Sequence, residues 1–254
     1  MEKYLSHEGY ALVFEEAFDQ TVLSRDDWNV ELHEPGWVNE EWQRYVDSEE
    51  NIAVQDGRLL IRPVRKENEN GDFVYTSGRI NTRGKHEFTY GIFEARMKVP
   101  AGKGYLPAFW LLADEDIYGS WPFCGEIDIM EVLGHKTDTV YGTIHYGLPH
   151  EQNQGNLTLE GGDFAEEYHT FALKWEPGSL SWYVDGRLYH EARDWFCARE
   201  GEEKQPYPQP FDHNMYIILN LAVGGSWVGY PDQTTDFERA ALAVEYVRVY
   251  QEKR

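Results

Sequence analysis

The chain has 254 residues and a formal net charge of −22 at neutral pH. So acidic a surface repels nucleic-acid backbones and anionic membranes, whereas a neutral polymer feels no such repulsion. Two cysteines are too few for a disulfide framework, and no apolar run reaches the length of a membrane span.

Taken in chain order, the first residues, Met1 to Tyr4, lack the basic start and apolar stretch of a signal peptide. Asn39, Glu41, Gln43 and Tyr45 then share one strand face, with Glu40, Trp42 and Arg44 on the other. Neither face reads plainly as core, so the polar row either lines a groove or forms a solvated edge. Ile52–Ile61 carries Asp56-Gly57 between apolar runs, a hairpin signal. Arg79 offers several donors to hydroxyl groups, or a salt bridge on an acidic surface. Phe93, Ala95, Met97 and Val99 alternate with Glu94, Arg96 and Lys98, predicting a half-buried strand with its polar face outward. Trp110 sits in an apolar run, where core packing is the default. Trp121 precedes Pro122 in a loop and is harder to bury.

Further on, Pro177-Gly178 and Asp185-Gly186 divide Phe171–Tyr189 into a meander. Asp194–Glu200 predicts one short helical turn. Met215–Val223 is almost continuously apolar and predicts a central strand buried on both faces. Aromatic residues make up 15% of the chain, with 9 Trp and 17 Tyr. Their flat faces pack well on pyranose rings, although about half are expected simply as sheet residues. Cys124 and Cys197 either pair, pinning the loop before the next motif, or remain thiols. No repeat, low-complexity tract or linker interrupts the chain, so a single domain over residues 1–254 is expected. Short strands between turn signals, with little helix, predict an all-β sandwich of two curved antiparallel sheets.

Residues 125–131, Gly-Glu-Ile-Asp-Ile-Met-Glu, place three carboxylates in a run that otherwise reads as a buried strand. Burying a carboxylate costs several kcal/mol unless it is paired, hydrogen-bonded or protonated. Strand alternation points Glu126, Asp128 and Met130 one way and Ile127, Ile129 and Glu131 the other. A β-bulge at Ile129–Met130 would reverse the parity, turning Glu131 to the carboxylate face and Met130 to the core. A straight strand leaves Glu126 and Glu131 about 13 Å apart at Cα. On a bulged, concave strand their long side chains can converge toward the roughly 5–5.5 Å used by retaining glycosidases. The alternatives are a divalent metal site or a salt-bridged cluster. A metal usually draws ligands from several segments or a known loop spacing, and no such loop is present.

This run, together with Thr76–Thr82, Phe88–Val99, Lys103–Leu112, Val140–Tyr146, Ile218–Trp227 and Val244–Gln251, resembles, in order, segments of glycoside hydrolase family 16 in its laminarinase branch. The resemblance implies a β-jelly roll with a concave substrate cleft. It implies a retaining endo-β-glucanase that cuts internal β-1,3 bonds of laminarin-type glucans, with mixed-linkage β-1,3-1,4-glucan as a further substrate. Glu126 is then the nucleophile, Glu131 the acid/base and Asp128 their helper. It also brings Asn39, Arg79, Trp110, Trp121, His145 and Trp227 to the substrate, although Ser226 stands where relatives often have Asn. An acidic residue or carbonyl near Glu16, the carbonyl of Gly57 and an acid at Glu245 map onto a structural calcium site in which Asp is usual at the last position; catalysis needs no cofactor. The expected partner is a β-glucan, met by a monomer that neither nucleic acid nor membrane would attract. An enzyme of polymers works outside the cell, so secretion with a trimmed leader is expected, with a cytoplasmic role on imported oligosaccharides as the alternative. The competing functions are a strict mixed-linkage lichenase, an enzyme of galactans such as agar or carrageenan, and a non-catalytic glucan-binding module. The three carboxylates weigh against the last, and the acidity of the chain weighs against sulfated carrageenan.

Overall fold

Two predicted turns set the frame of one sheet. Asp56 and Gly57 both take positive φ, 53° and 70°, and close the hairpin of Ile52–Val54 and Leu59–Ile61. Asp185 and Gly186, at 48° and 77°, do the same between Ser179–Val184 and Arg187–Ala192. Paired positive φ values give a hairpin turn whose twist matches that of its strands. The computed structural model describes residues 3–253, apart from the side chains of residues 115 and 116.

The outer sheet runs Arg187–Ala192, Ser179–Val184, His169–Glu176, Gly91–Lys98, Leu242–Glu252, Leu59–Ile61, Ile52–Val54, with Tyr10–Glu16 also on Leu242–Glu252. The inner sheet runs Glu151–Thr158, Thr139–Tyr146, Glu126–Val132, Tyr105–Ala113, Met215–Val223, Arg79–Asn81, Asn29–Val30, with Glu87–Phe88 also on Met215–Val223. All pairings in these two sheets are antiparallel. A small third sheet joins Gln43–Tyr45, in parallel, to the hairpin of Val64–Glu67 and Phe73–Ser77. Two stacked curved sheets of this kind form a β-jelly roll. No helix among the described residues is long and apolar enough to cross a membrane.

Trp28, Trp175, Trp182, Phe93 and Phe171 are fully buried in the core. Each buried Phe, Leu or Ile contributes about 1.5–3 kcal/mol by leaving water. Every residue of Met215–Val223 is buried, as its apolar run predicts. Its ends are tied to the third sheet, where Val223 N–H donates to Gln43 Oε1 and Asn220 Nδ2 to Tyr45 Oη. The polar row thus divides: Gln43 and Tyr45 form an internal hydrogen-bonding seam, while Asn39 and Glu41 line a groove.

Two expectations need correction. Asp194–Glu200 is irregular, with Trp195 and Cys197 buried and no helical turn. The segment is held instead by longer-range bonds, Gln205 N–H on Cys197 O and Leu148 N–H on Ala198 O. Among the described residues the one α-helix is Glu115–Tyr118. The strand through Phe93 does not turn its polar face fully to water. Glu94 is buried, accepts from Tyr246 Oη at 2.9 Å and lies 3.4 Å from His7 Nε2.

Candidate active site

The register of the neighbouring strand fixes the direction of the three carboxylates. Glu126 lies opposite Leu112, Asp128 opposite Trp110 and Glu131 opposite Ala108. Positions 108, 110 and 112 share one face of an unbroken strand, so 126, 128 and 131 share it too. Phe109 faces Met130 and Leu111 faces Ile127 on the other side, where all four are buried. Ile129 has no opposite residue. It is the extra residue of a bulge, which is also visible on the other edge as a register shift between Asp128 and Glu131. Without it, Glu131 would enter the core.

Glu126 and Glu131 line one cleft of about 350 Å³ with Asn39, Glu41, Trp121, His145, His150, Gln152, Gln154 and Trp227 among its walls. His145 lies directly opposite Glu126 on the next strand. Its Nε2 is 3.2 Å from Asp128 Oδ2 and 3.8 Å from Glu126 Oε1. Its Nδ1 is 2.8 Å from Nε2 of His150, a second ring on the same side of the cleft. Burial alone would lower the His145 pKa, but the contact and charge of Asp128 and the charge of Glu126 raise it.

The two glutamates differ electrostatically. Burial and the charge of Asp128 push the Glu126 carboxyl up to about 8, against opposing pulls from His145, Arg79 and a hydrogen bond from Trp121. Glu131 is raised well above the carboxylate range by burial, Asp128 and Glu126, with no cation to offset them. Of the two, Glu126 therefore ionises first and Glu131 holds its proton longest.

Trp110 and Arg79 are not among the residues that line this cleft. Trp110 donates to Asn220 Oδ1 at 2.7 Å, and the Arg79 guanidinium lies 4.6 Å from its ring centroid and 5.2 Å from that of Trp37. Arg79 is not open to a ligand. It is buried and bonded to Glu31 Oε2 at 2.7 Å, so it supports Trp110 from behind. Asn39 reaches the cleft through a positive φ of 52°, with its amide 3.3 Å from Glu41 Oε1. Trp121 and Trp227 line the cleft and remain 47% and 44% exposed. Glu41 belongs to the polar row that the sequence offers as a groove lining, whereas His150, Gln152 and Gln154 carry no local signal of the cleft. The two glutamines could have been found from their alternation opposite His145 and Thr143.

Glu126, Asp128 and His145 offer donor atoms within 4.8 Å of one another, a span a divalent cation could bridge. Asp128 Oδ2, which lies 3.2 Å from His145 Nε2, is buried there and accepts no hydrogen bond. The expected calcium positions meet along Leu242–Glu252, where Glu16 pairs with Val247 and Leu59, close to Gly57, pairs with Val244. The two carboxylates there already have partners within the protein. The Glu16 carboxylate accepts from Phe18 N–H at 2.8 Å and from Trp28 Nε1 at 3.2 Å, and Glu245 is bonded to Arg96. Calcium seeks six to eight oxygens; here a guanidinium supplies the positive charge. Cys124 and Cys197 are both buried thiols.

A carboxylate strand of this form, on this fold, matches a known group over most of its length: residues 38–239 fit the glycosyl hydrolases family 16. The chain belongs to glycosyl hydrolase family 16. It is 36% identical to glucan endo-1,3-beta-glucosidase A1 of Niallia circulans across 96% of its length, which is 38% of that longer protein. The laminarinase from Rhodothermus marinus superposes with a TM-score of 0.84 at 36% identity, covering 96% of this family 16 chain and 98% of its own. SCLam, a non-specific endo-β-1,3(4)-glucanase of the same family, gives 0.84 at 31% identity over 99% and 95% of the two chains.

Proposed function

We propose that this chain is a retaining endo-β-glucanase that hydrolyses internal β-1,3 bonds of laminarin-type glucans, residues 1–254 acting as one catalytic domain. The observation that carries the reading is the bulge at Ile129, which turns Glu126 and Glu131 to one cleft. Glu126 attacks the anomeric carbon, and Glu131 gives its proton to the leaving oxygen. A glycosyl-enzyme forms. Glu131, now ionised, takes a proton from water as the water attacks the same carbon, so the anomeric configuration is retained. The electrostatics favour this division, because His145, Arg79 and Trp121 all help Glu126 carry charge and nothing comparable acts on Glu131. Asp128 sits between the pair and its charge opposes ionisation of Glu126, while His145, close to both, steadies the charge that forms there. Trp121, Trp227 and Asn39 hold the sugar chain.

Both roles use side-chain carboxyls, so no cofactor is needed for the chemistry. A non-specific β-1,3(4)-glucanase among the similar structures favours mixed-linkage glucan as a second substrate. Secretion suits an enzyme whose substrate is a polymer. The deciding experiment compares wild type with Glu126→Gln on laminarin, lichenan and mixed-linkage β-glucan, with products followed by chromatography and with chelator in one arm. Oligosaccharide release by the wild type, unaffected by chelator and lost in the variant, is expected. Near wild-type hydrolysis by Glu126→Gln would refute the assignment. Binding of glucan with no reducing sugar released by the wild type would make this a binding module instead.

A further inference from the structure

We infer that Trp182, a residue of the outer sheet with no place in the cleft, is a positioning residue that holds the carboxylate strand in its bulged form. The Trp182 indole is fully buried, and its Nε1–H donates to the backbone carbonyl of Asp128 at 2.8 Å. Asp128 is the last residue before the bulge, where the ladder to the neighbouring strands is interrupted. A buried carbonyl at a broken ladder needs a partner, and the opposite sheet supplies it.

The inner sheet is built to let that indole in. A Cβ on Gly142 would lie 2.5 Å from Trp182 Cδ1 and 2.8 Å from its Nε1. Gly155, paired directly with Gly142, would strike His190 at 2.3 Å. His190 is the cross-strand partner of Trp182, with ring centroids 4.7 Å apart. Two paired glycines weaken a strand interior, and they mark a close approach from the other side. Here they form a window behind the bulge, filled by Trp182 and His190. Thr143, beside Gly142, pairs with Asp128 itself, so the window and the bulge are one local structure.

What the bond holds is the register. The bulge sets Glu126 and Glu131 four rungs apart along the adjacent strand, on one face. A loosened bulge would move one glutamate relative to the other while leaving Trp110, Trp121 and Asn39 in place. A misplacement of about 1 Å costs about 100-fold in rate.

This inference rests on reading Glu126 and Glu131 as the reacting groups. Trp182→Phe keeps an aromatic ring and removes the N–H. It is expected to lower kcat about 10- to 100-fold with KM changed less than about twofold. In a Glu131→Gln background the same change should cost less than about twofold, because the group being positioned is gone. Wild-type kcat in folded Trp182→Phe, or an undiminished loss in the Glu131→Gln background, would overturn the inference. If Trp182→Phe does not fold, 3-benzothienylalanine at position 182 decides by the same criteria, since it keeps the two-ring shape and lacks only the N–H. Should Glu131→Gln alone retain full activity, the functional reading fails, and that result is separate from either outcome at Trp182.

Discussion

Glu31 and Glu131 are both carboxylates half-hidden in the inner-sheet region, and their surroundings treat them oppositely. Burial pushes Glu31 up, but Arg79, Asn81 and His33 together bring its pKa below the usual value. Arg79 and Asn81 bond its two oxygens at 2.7 and 2.6 Å. Glu131 has burial and two like charges, and its pKa is raised. One carboxylate is thus a brace whose charge the fold welcomes. The other is a group whose charge the fold resists, which is what a proton donor at neutral pH requires. The difference separates structural from reacting acids without reference to any relative.

Removing each side chain's charge should therefore give opposite results, and the largest is in rate. Glu131→Gln is expected to lower kcat on laminarin about 10²–10⁴-fold, the usual contribution of a general acid–base, while raising Tm at neutral pH. Glu31→Gln should do the reverse in emphasis. Leaving Arg79 buried without its counter-charge costs about 3–5 kcal/mol of stability, seen as a fall in denaturation midpoint. Equal loss of stability in both variants would erase the distinction.

Titration sharpens the same contrast. A lowered folded pKa gives Glu31 a stabilising contribution at neutral pH, lost as pH falls through that value. A raised folded pKa gives Glu126 and Glu131 a contribution present below about 4.5 and lost as pH rises, for Glu126 through about 8. The Tm advantage of Glu131→Gln over wild type should grow between about pH 5 and 8. The deficit of Glu31→Gln should shrink below about pH 4, where wild-type Glu31 also takes up a proton. Parallel pH–Tm curves for the two variants would contradict the assignment of both environments.

The position of the proposed acid was legible in the sequence and the brace was not, for a physical reason. The parity conflict among Glu126, Asp128 and Glu131 lies within six residues, and a period-2 argument alone demands the bulge at Ile129. The turns at Asp56-Gly57 and Asp185-Gly186 are equally local. Glu31 becomes a brace only through Arg79, 48 residues away, and no local pattern announces that pair. Arg79 by itself reads better as a salt bridge on an acidic surface, and only the resemblance turns it toward the sugar; nothing local names Glu31 as its partner. The paired glycines 142 and 155 carry no meaning until Trp182 and His190 arrive from the other sheet. Asp194–Glu200 failed as a helix because longer-range bonds, not local propensity, decide its path.

Two tryptophans repeat the contrast more weakly. Trp110 is fixed by Asn220 and Arg79, whereas the half-exposed Trp227 meets Tyr141 in a T-shaped contact, at 5.2 Å between centroids. Trp227→Ala is expected to raise KM about fivefold, the worth of about 1 kcal/mol of aromatic contact, with kcat and Tm little changed. Trp110→Phe, which unseats Asn220, should lower Tm as well. A Tm loss in Trp227→Ala equal to that in Trp110→Phe would show that the open wall is structural after all.

The smallest effect concerns a third carboxylate, Glu245, which stands between the two cases. It is the extra residue of a second bulge, between the partners of Arg96 and Met97, and its charge is met by Arg96. Both side chains are more than a third exposed or nearly so, so the pair contributes at most about 1 kcal/mol. With the guanidinium in place, added calcium or chelator should leave Tm unchanged. Arg96→Gln removes the internal cation and leaves Glu245 beside the Gly57 turn with its charge unanswered. A divalent ion that binds there would then stabilise the fold in proportion to RT ln(1 + [L]/Kd). A calcium-dependent rise in Tm confined to Arg96→Gln is expected. The same rise in the wild type would mean that calcium displaces Arg96 from Glu245, and the carboxylate would then belong with those that serve a ligand rather than with those that brace the sheet.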